Sequence, residues 1–274
     1  MTEIGAAAVI LQFVRRSDGR ALSELGVSPD AAFSAAPWAA RVPRSTLFLL
    51  PEFVAGSVYS AYISGGKERK SFKSLRDGVD KAAARVRDAE GPTYTYLYTH
   101  GIDSAAHPYG AGHGEVKAAV RNLDREIGRL KSELGDNVRI VLCGDHGFLD
   151  APRGPRFQIR PSDPLARTLR HPPSGDARVL YLHSGRGNLE ATRELVASRF
   201  GDRFLAITLE EAEALELLGP GAIPQPARER LGDLIVISAG DDVVDYRDSG
   251  SAERVASRVS HHSGLSPEEM LVPL

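Results

Sequence analysis

Cysteine is almost absent from this chain: Cys143 stands alone among 274 residues. A lone cysteine excludes an intrachain disulfide framework and a cysteine-rich zinc module. Long apolar runs are missing too, and none reaches the ~18 residues of a membrane span. The opening stretch lacks the basic n-region of a secretory signal. Glu3 is acidic, and Arg15 and Arg16 follow the apolar run instead of preceding it. These absences predict a cytoplasmic protein with no membrane partner. An excess of one charge sign is also lacking. Lys+Arg 34 against Asp+Glu 36 leaves a formal net charge of −2. No general attraction to a nucleic-acid duplex or an acidic membrane is expected from that balance.

What is present fits an ordinary globular protein, with 42% hydrophobic and 26% charged residues. The length suits one large domain or two small ones, with a core that needs no staples. Strand-like and helix-like segments alternate. Residues 7–14 are a continuous apolar run, strand or short helix, and 17–42 are weakly patterned. Ser45–Leu50 reads as a buried strand. Ser71–Arg87 has apolar residues at helical spacing. Thr93–Tyr98 is rich in β-branched and aromatic residues and reads as a strand. A polar, Gly-rich loop, GIDSAAHPYGAGHG, follows. Val116–Leu134 is an amphipathic helix closed by Gly135. Asn137–Cys143 is the strongest strand signal, and it runs into a second polar loop, GDHGFLDAPRG. Strands at 178–182, 204–208 and 233–238 and helices at 188–200 and 209–218 continue the alternation. Ser266 and Glu269 have capping-box spacing. The pattern predicts an α/β fold with a mostly parallel sheet and helices on both faces. Ligands of such sheets sit in loops at the carboxyl ends of strands.

Asp and His concentrate in three such loops. Asp103 and His107 lie four residues apart, with His100 and His113 nearby. Asp145 and His146 follow the apolar strand. His261 and His262 occupy a turn near the C-terminus. These segments hold six of the eight histidines. A single Asp–His pair at a strand end is most often a hydrogen-bonded loop. Three in one chain point to a divalent metal, zinc or manganese, because imidazole and carboxylate together suit those ions.

YLYTHGIDSAAHPYG resembles the metal loop of the alkaline phosphatase superfamily. It is more similar still to the type I phosphodiesterase/nucleotide pyrophosphatase branch. LCGDHGFLD resembles that branch's Asp-His-Gly element, and HHSGLSPEEMLVPL its C-terminal His-Gly-Gly-Leu-Ser-type segment. The three occur in the family's order and cover the chain from about residue 40 to the end. The resemblance implies an alkaline-phosphatase-like core and a two-metal phosphoric ester hydrolase acting on a small phosphorylated substrate, a phosphodiester or a nucleotide. It implies one metal, zinc with manganese as the alternative, on Asp103, His107 and His262. It implies a second metal held partly by Asp145 and His146. His262 is preferred to His261 because it directly precedes Ser-Gly-Leu, and His261 is expected to be a solvated loop residue. His100 and His113 match no family position.

The family's N-terminal strand ending in an Asp, and its Thr or Ser nucleophile, have no counterpart in this sequence. Asp18–Gly19 does not end a buried strand, and Thr46, Ser57 and Ser60 are poor nucleophile candidates. No catalytic residue is therefore assigned. The chain reads as N-terminally truncated, with residues 1–40 irregular or a substitute N-terminus and 41–274 the alkaline-phosphatase-like domain. The alternative is a catalytically inactive or truncated relative that binds metal or a phosphorylated ligand. An unrelated α/β binding domain without metal is a third reading. A missing first strand would leave a sheet edge that invites a homodimer. Arg153, Arg156 and Arg178 are basic handles for substrate or ordinary surface charges, and His183 carries the same ambiguity.

Overall fold

The computed structural model describes residues 8–33, 35–151, 157–246 and 258–273. The chain divides into two compact units, Met1–Ile102 with Ala118–Ile140, and Asp103–Lys117 with Val141–Leu274. No helix among the described residues is long and apolar enough to cross a membrane.

The first unit is built on a three-stranded parallel sheet of β1 (Ser45–Pro51), β2 (Glu68–Phe72) and β3 (Thr93–Leu97), with β1 in the middle. Alternate side chains of β1 serve opposite faces. Leu47 and Leu49 pack with Phe72, Ala82 and Leu97, while Phe48 and Leu50 pack with Ala39 and Tyr96. A strand buried on both faces is continuously apolar, which is why STLFLL was legible. Helix α1 (Leu75–Arg87) starts later than its periodicity suggests, because residues 68–72 pair with β1. Ser74 caps it, accepting the Asp77 N–H at 3.2 Å. Helix α2 (Gly101–Tyr109) belongs from Asp103 onward to the second unit, and α3 (Gly114–Leu134) returns to the first from Ala118. Leu130 and Leu134 of α3 pack with Val79 and Ala83 of α1. Gly135 ends α3 with φ 65°.

Two expectations need correction here. The stretch GIDSAAHPY is helical, not a loop. Residues 138–143 form no strand, and Val141 and Leu142 are 70% and 51% exposed. Apolarity gave the signal, but a strand also needs a neighbour to take its backbone hydrogen bonds. No ladder among the described residues includes this segment.

The second unit contains β4 (Leu149–Asp150), β5 (Phe157–Ile159), β6 (Ser174–Asp176), β7 (Val179–Leu182), β8 (Phe204–Thr208), β9 (Leu234–Ser238), β10 (Val244–Tyr246) and β11 (Ser260–His261). Its main sheet has the order β8-β9-β7-β6 and every pairing in it is antiparallel. The α/β class holds, and the parallel pairings lie in the first sheet and between β5 and β10. The sequence alternation did reflect a real crossover. Strand β7, helix α4 (Leu189–Phe200) and β8 form a unit whose strands run the same way. The later strand β9 then inserts between them in the opposite direction, which alternation alone does not encode. All of β9 is buried. Leu234 and Val236 face α4, and Ile235 and Ile237 face α5 (Leu209–Ala214). Thr208 and Glu211 form the capping box of α5. The last helix, α6, is the single turn Pro267–Met270.

Candidate metal centre

The geometry follows from α2. Asp103 and His107 are spaced i, i+4, so they share one face of that helix. The Asp103 Oδ1 lies 3.4 Å from His107 Nε2. The spacing was visible in sequence; the helix it implies was hidden by the glycines and by Pro108 in the last turn. The C-terminal end of this face is fixed by backbone docking. The Val259 N–H donates to the His107 carbonyl at 2.7 Å. His107 Nδ1 lies 2.9 Å from the Ser260 carbonyl oxygen. A proton on Nδ1 satisfies that carbonyl and leaves Nε2 free to bind an ion. Just past α2, the Ala111 N–H donates to Asp150 Oδ1 at 2.7 Å.

The short antiparallel ladder of β4 and β11 brings the other loops in. Ser260 pairs with Asp150, and His261 with Leu149. His262 then emerges beside α2, with its Nε2 3.6 Å from Asp103 Oδ1. Asp103, His107 and His262 each offer a ligand atom, and these atoms lie within 4.8 Å of one another. The His146 ring stacks on His262, with centroids 3.7 Å apart. Phe148 sits edge-on to His107, His146 and His262, with centroids 5.2–5.5 Å away. Asp145 is outside the tight group. Its side chain is 74% exposed, 3.7 Å from His146 Nε2.

The carboxylate and the imidazoles perturb one another's titration. Burial pushes the Asp103 carboxyl up, but the hydrogen bond from His107 and the charges of His107, His262 and His146 outweigh it, so its pKa is lowered. His107 is raised, chiefly by Asp103. His262 is lowered, first by burial and then by His146 and His107. Two imidazoles and one carboxylate, with one tautomer fixed by a backbone carbonyl, fit a divalent ion of the zinc type.

His261 departs from its expectation. It is 3% exposed, on β11, and burial drives its pKa down to about 4. Alternation along the strand puts it on the opposite side from its neighbour His262. His100 packs edge-on against Phe53 at 4.7 Å, and His113 stacks on Tyr109 at 5.0 Å. Neither belongs to the Asp103 group.

Arg178 is no surface charge, being fully buried and forked onto Glu269. Sequence reasoning missed this pair; only the glutamate's capping-box spacing signalled it. His183 is likewise buried. Arg153 and Arg156 lie outside the described residues. Asp18 sits in an exposed turn, paired with Arg15. Thr46 donates to the Arg44 carbonyl, and Ser57 donates to Ser60.

The family described as type I phosphodiesterase / nucleotide pyrophosphatase matches residues 23–263. No curated protein matches the sequence. Among solved structures, murine ectonucleotide pyrophosphatase/phosphodiesterase 5 is similar at TM-score 0.62 and 13% identity, covering 98% of this chain and 72% of that one. An inactive form of that murine protein, solved with AMP, is similar at TM-score 0.62 and 14% identity over the same shares. Phosphonoacetate hydrolase from Sinorhizobium meliloti, with phosphonoformate, has TM-score 0.56 and 13% identity, covering 84% of this chain and 64% of that one. These neighbours share the alkaline-phosphatase-like fold, and the family match supports a phosphodiesterase/pyrophosphatase-type hydrolase; members of that family generally use divalent metals. The chain belongs to the type I phosphodiesterase/nucleotide pyrophosphatase family of the alkaline phosphatase superfamily.

Proposed function

We propose that this chain is a metal-dependent phosphoric ester hydrolase acting on a phosphodiester or nucleotide. The observation that carries the reading is the convergence of Asp103, His107 and His262, which are distant in sequence. In this reading those residues hold one divalent ion, zinc in the first instance and manganese in the second. Asp145 and His146 contribute to a second. Bound there, divalent metal supplies Lewis acidity to a phosphoryl oxygen and promotes attack by an oxygen nucleophile. The protein's own groups do the rest. The Ser260 carbonyl orients His107, and Asp103 offsets part of the cationic charge. Phe148 gives the imidazoles an apolar wall, which keeps their edges aligned. The AMP bound by the murine neighbour makes a nucleotide the first substrate to try.

The test is hydrolysis of bis-p-nitrophenyl phosphate with added Zn²⁺ or Mn²⁺. Metal-dependent turnover that disappears in Asp103→Ala is expected. Turnover indifferent to EDTA, or unchanged in Asp103→Ala, contradicts the reading.

A second reading is a relative that binds metal without turnover. One observation favours it. The hydroxyls weighed as nucleophiles are spent on local hydrogen bonds, and Thr46 and Ser60 are buried. Saturable metal binding with no hydrolysis of diester or nucleotide is its signature.

A further inference from the structure

The His146 loop and the His262 loop meet at one residue, Glu269. Its main-chain carbonyl accepts the Gly147 N–H at 2.7 Å. Its side chain accepts the Gly264 N–H at Oε1, 2.8 Å away, and the Ser266 N–H at Oε2, 3.3 Å away. Gly147 directly follows His146, and Gly264 lies two residues beyond His262. One residue therefore grips the backbone beside both imidazoles that stack on each other.

Glu269 is itself held by Arg178. The guanidinium contacts both carboxylate oxygens, Nε to Oε1 at 2.6 Å and Nη2 to Oε2 at 2.9 Å. Nη1 donates to Ser238 Oγ at 3.3 Å and to the Asp242 carbonyl at 3.2 Å. Those two partners lie at and just after the end of β9, the fully buried strand of the main sheet. The Arg178 N–H also donates to Ser263 Oγ at 3.2 Å, next to His262. Both side chains are 1% exposed. The fit leaves no room for larger residues. A Cβ at Gly147 would lie 1.9 Å from the Glu268 carbonyl oxygen, and one at Gly264 would lie 2.5 Å from Glu269 Oε2. A planar fork with fixed donors makes a more rigid link than an ammonium would.

We propose that the buried Arg178–Glu269 pair is the positioning device that transmits the rigidity of the main sheet to the His146 and His262 loops and sets their register in the metal site. Neither residue touches the ion; both act through the backbone of the two loops. The consequence for metal affinity rests on the metal reading above, whereas the clamp itself does not. Supports of this kind typically change metal affinity 10–100-fold when removed.

The experiment uses the full chain with Glu269→Gln and Arg178→Lys. Val196→Ala serves as a control, since Val196 is buried in the same unit's core without touching either loop. Amide hydrogen exchange on metal-free protein reads the clamp. Zinc titration of the folded protein reads its consequence. The expected result is a loss of protection of roughly tenfold or more at both Gly147 and Gly264, relative to the β9 amides, in the pair variants. Zinc affinity should fall roughly tenfold or more in the same variants and stay unchanged in Val196→Ala. Where Glu269→Gln fails to fold, Arg178→Lys, which keeps the charge and loses the fork, decides alone. Protection unchanged at both glycines overturns the proposal. So does zinc affinity equal to wild type, or a loss matched by Val196→Ala. Absence of zinc binding in the wild type defeats the metal reading, and the exchange arm then decides the clamp.

Discussion

The imidazoles of His146 and His262 lie face to face, 3.7 Å between centroids and 9° from coplanar. Both rings take part in the Asp103 environment, since each lowers the Asp103 pKa through its charge. The edge of Phe148 packs against both rings, with centroids 5.2–5.3 Å away, so His146 borders the Asp103 group through packing. Replacing His146 removes a neighbour of the site but none of the Asp103, His107 and His262 donors. His146→Ala should therefore weaken zinc binding at the Asp103 site roughly tenfold without abolishing it, within the range for supporting residues, while removing the second ion proposed for Asp145 and His146. Isothermal titration measures this, and a complete loss would make His146 a primary ligand.

Arg178→Met leaves Glu269 buried without its partner. The expected cost is about 3–5 kcal/mol in urea unfolding, typical for breaking a buried pair from one side. A cost below about 1 kcal/mol, the range of exposed pairs, would show that water reaches the carboxylate.

Gly147→Ala places a methyl group against the Glu268 carbonyl oxygen, where the ideal contact would be 1.9 Å. The backbone must shift, at about 1–3 kcal/mol, the usual cost of overpacking. Gly112→Ala, where a Cβ meets nothing within 4 Å, is the comparison. Chemical denaturation of the two variants side by side checks the difference, and equal stabilities would refute the close approach.

His183 has a folded-state pKa below its usual 6.5, because of burial and then the charge of the nearby His171. Asp233 opposes that shift and Arg170 adds to it. A lowered imidazole pKa means that protons bind the unfolded chain better. The contribution is complete above pH 6.5 and is lost as the pH falls toward the folded value. The melting temperature of metal-free protein should drop over that window. His183→Gln should show a shallower drop than wild type, and identical slopes would count against the assignment.

Much of the fold was legible because the signals were local. Leu47–Leu50 and Leu234–Ile237 are continuously apolar and are buried on both faces. Ser266 and Glu269 announced α6 by spacing alone. The direction of β9 was not legible, because strand order depends on which neighbour is left open, not on residues 234–238. Residues 138–143 misled for a related reason: their apolar run signals burial, and the structure gives that segment no ladder. In the site, Asp103, His107 and His262 were found through family resemblance and His clustering. Arg178 was not found, since a charged residue opening a strand looks the same in sequence whether it faces solvent or a buried glutamate.

Direct titration of metal-stripped protein with zinc tests the central claim, that Asp103, His107 and His262 share one ion. Wild type should bind saturably, and Asp103→Ala, His107→Ala and His262→Ala should each lose roughly 100-fold or more in affinity while remaining folded. Three folded variants that bind zinc as wild type does would contradict the account.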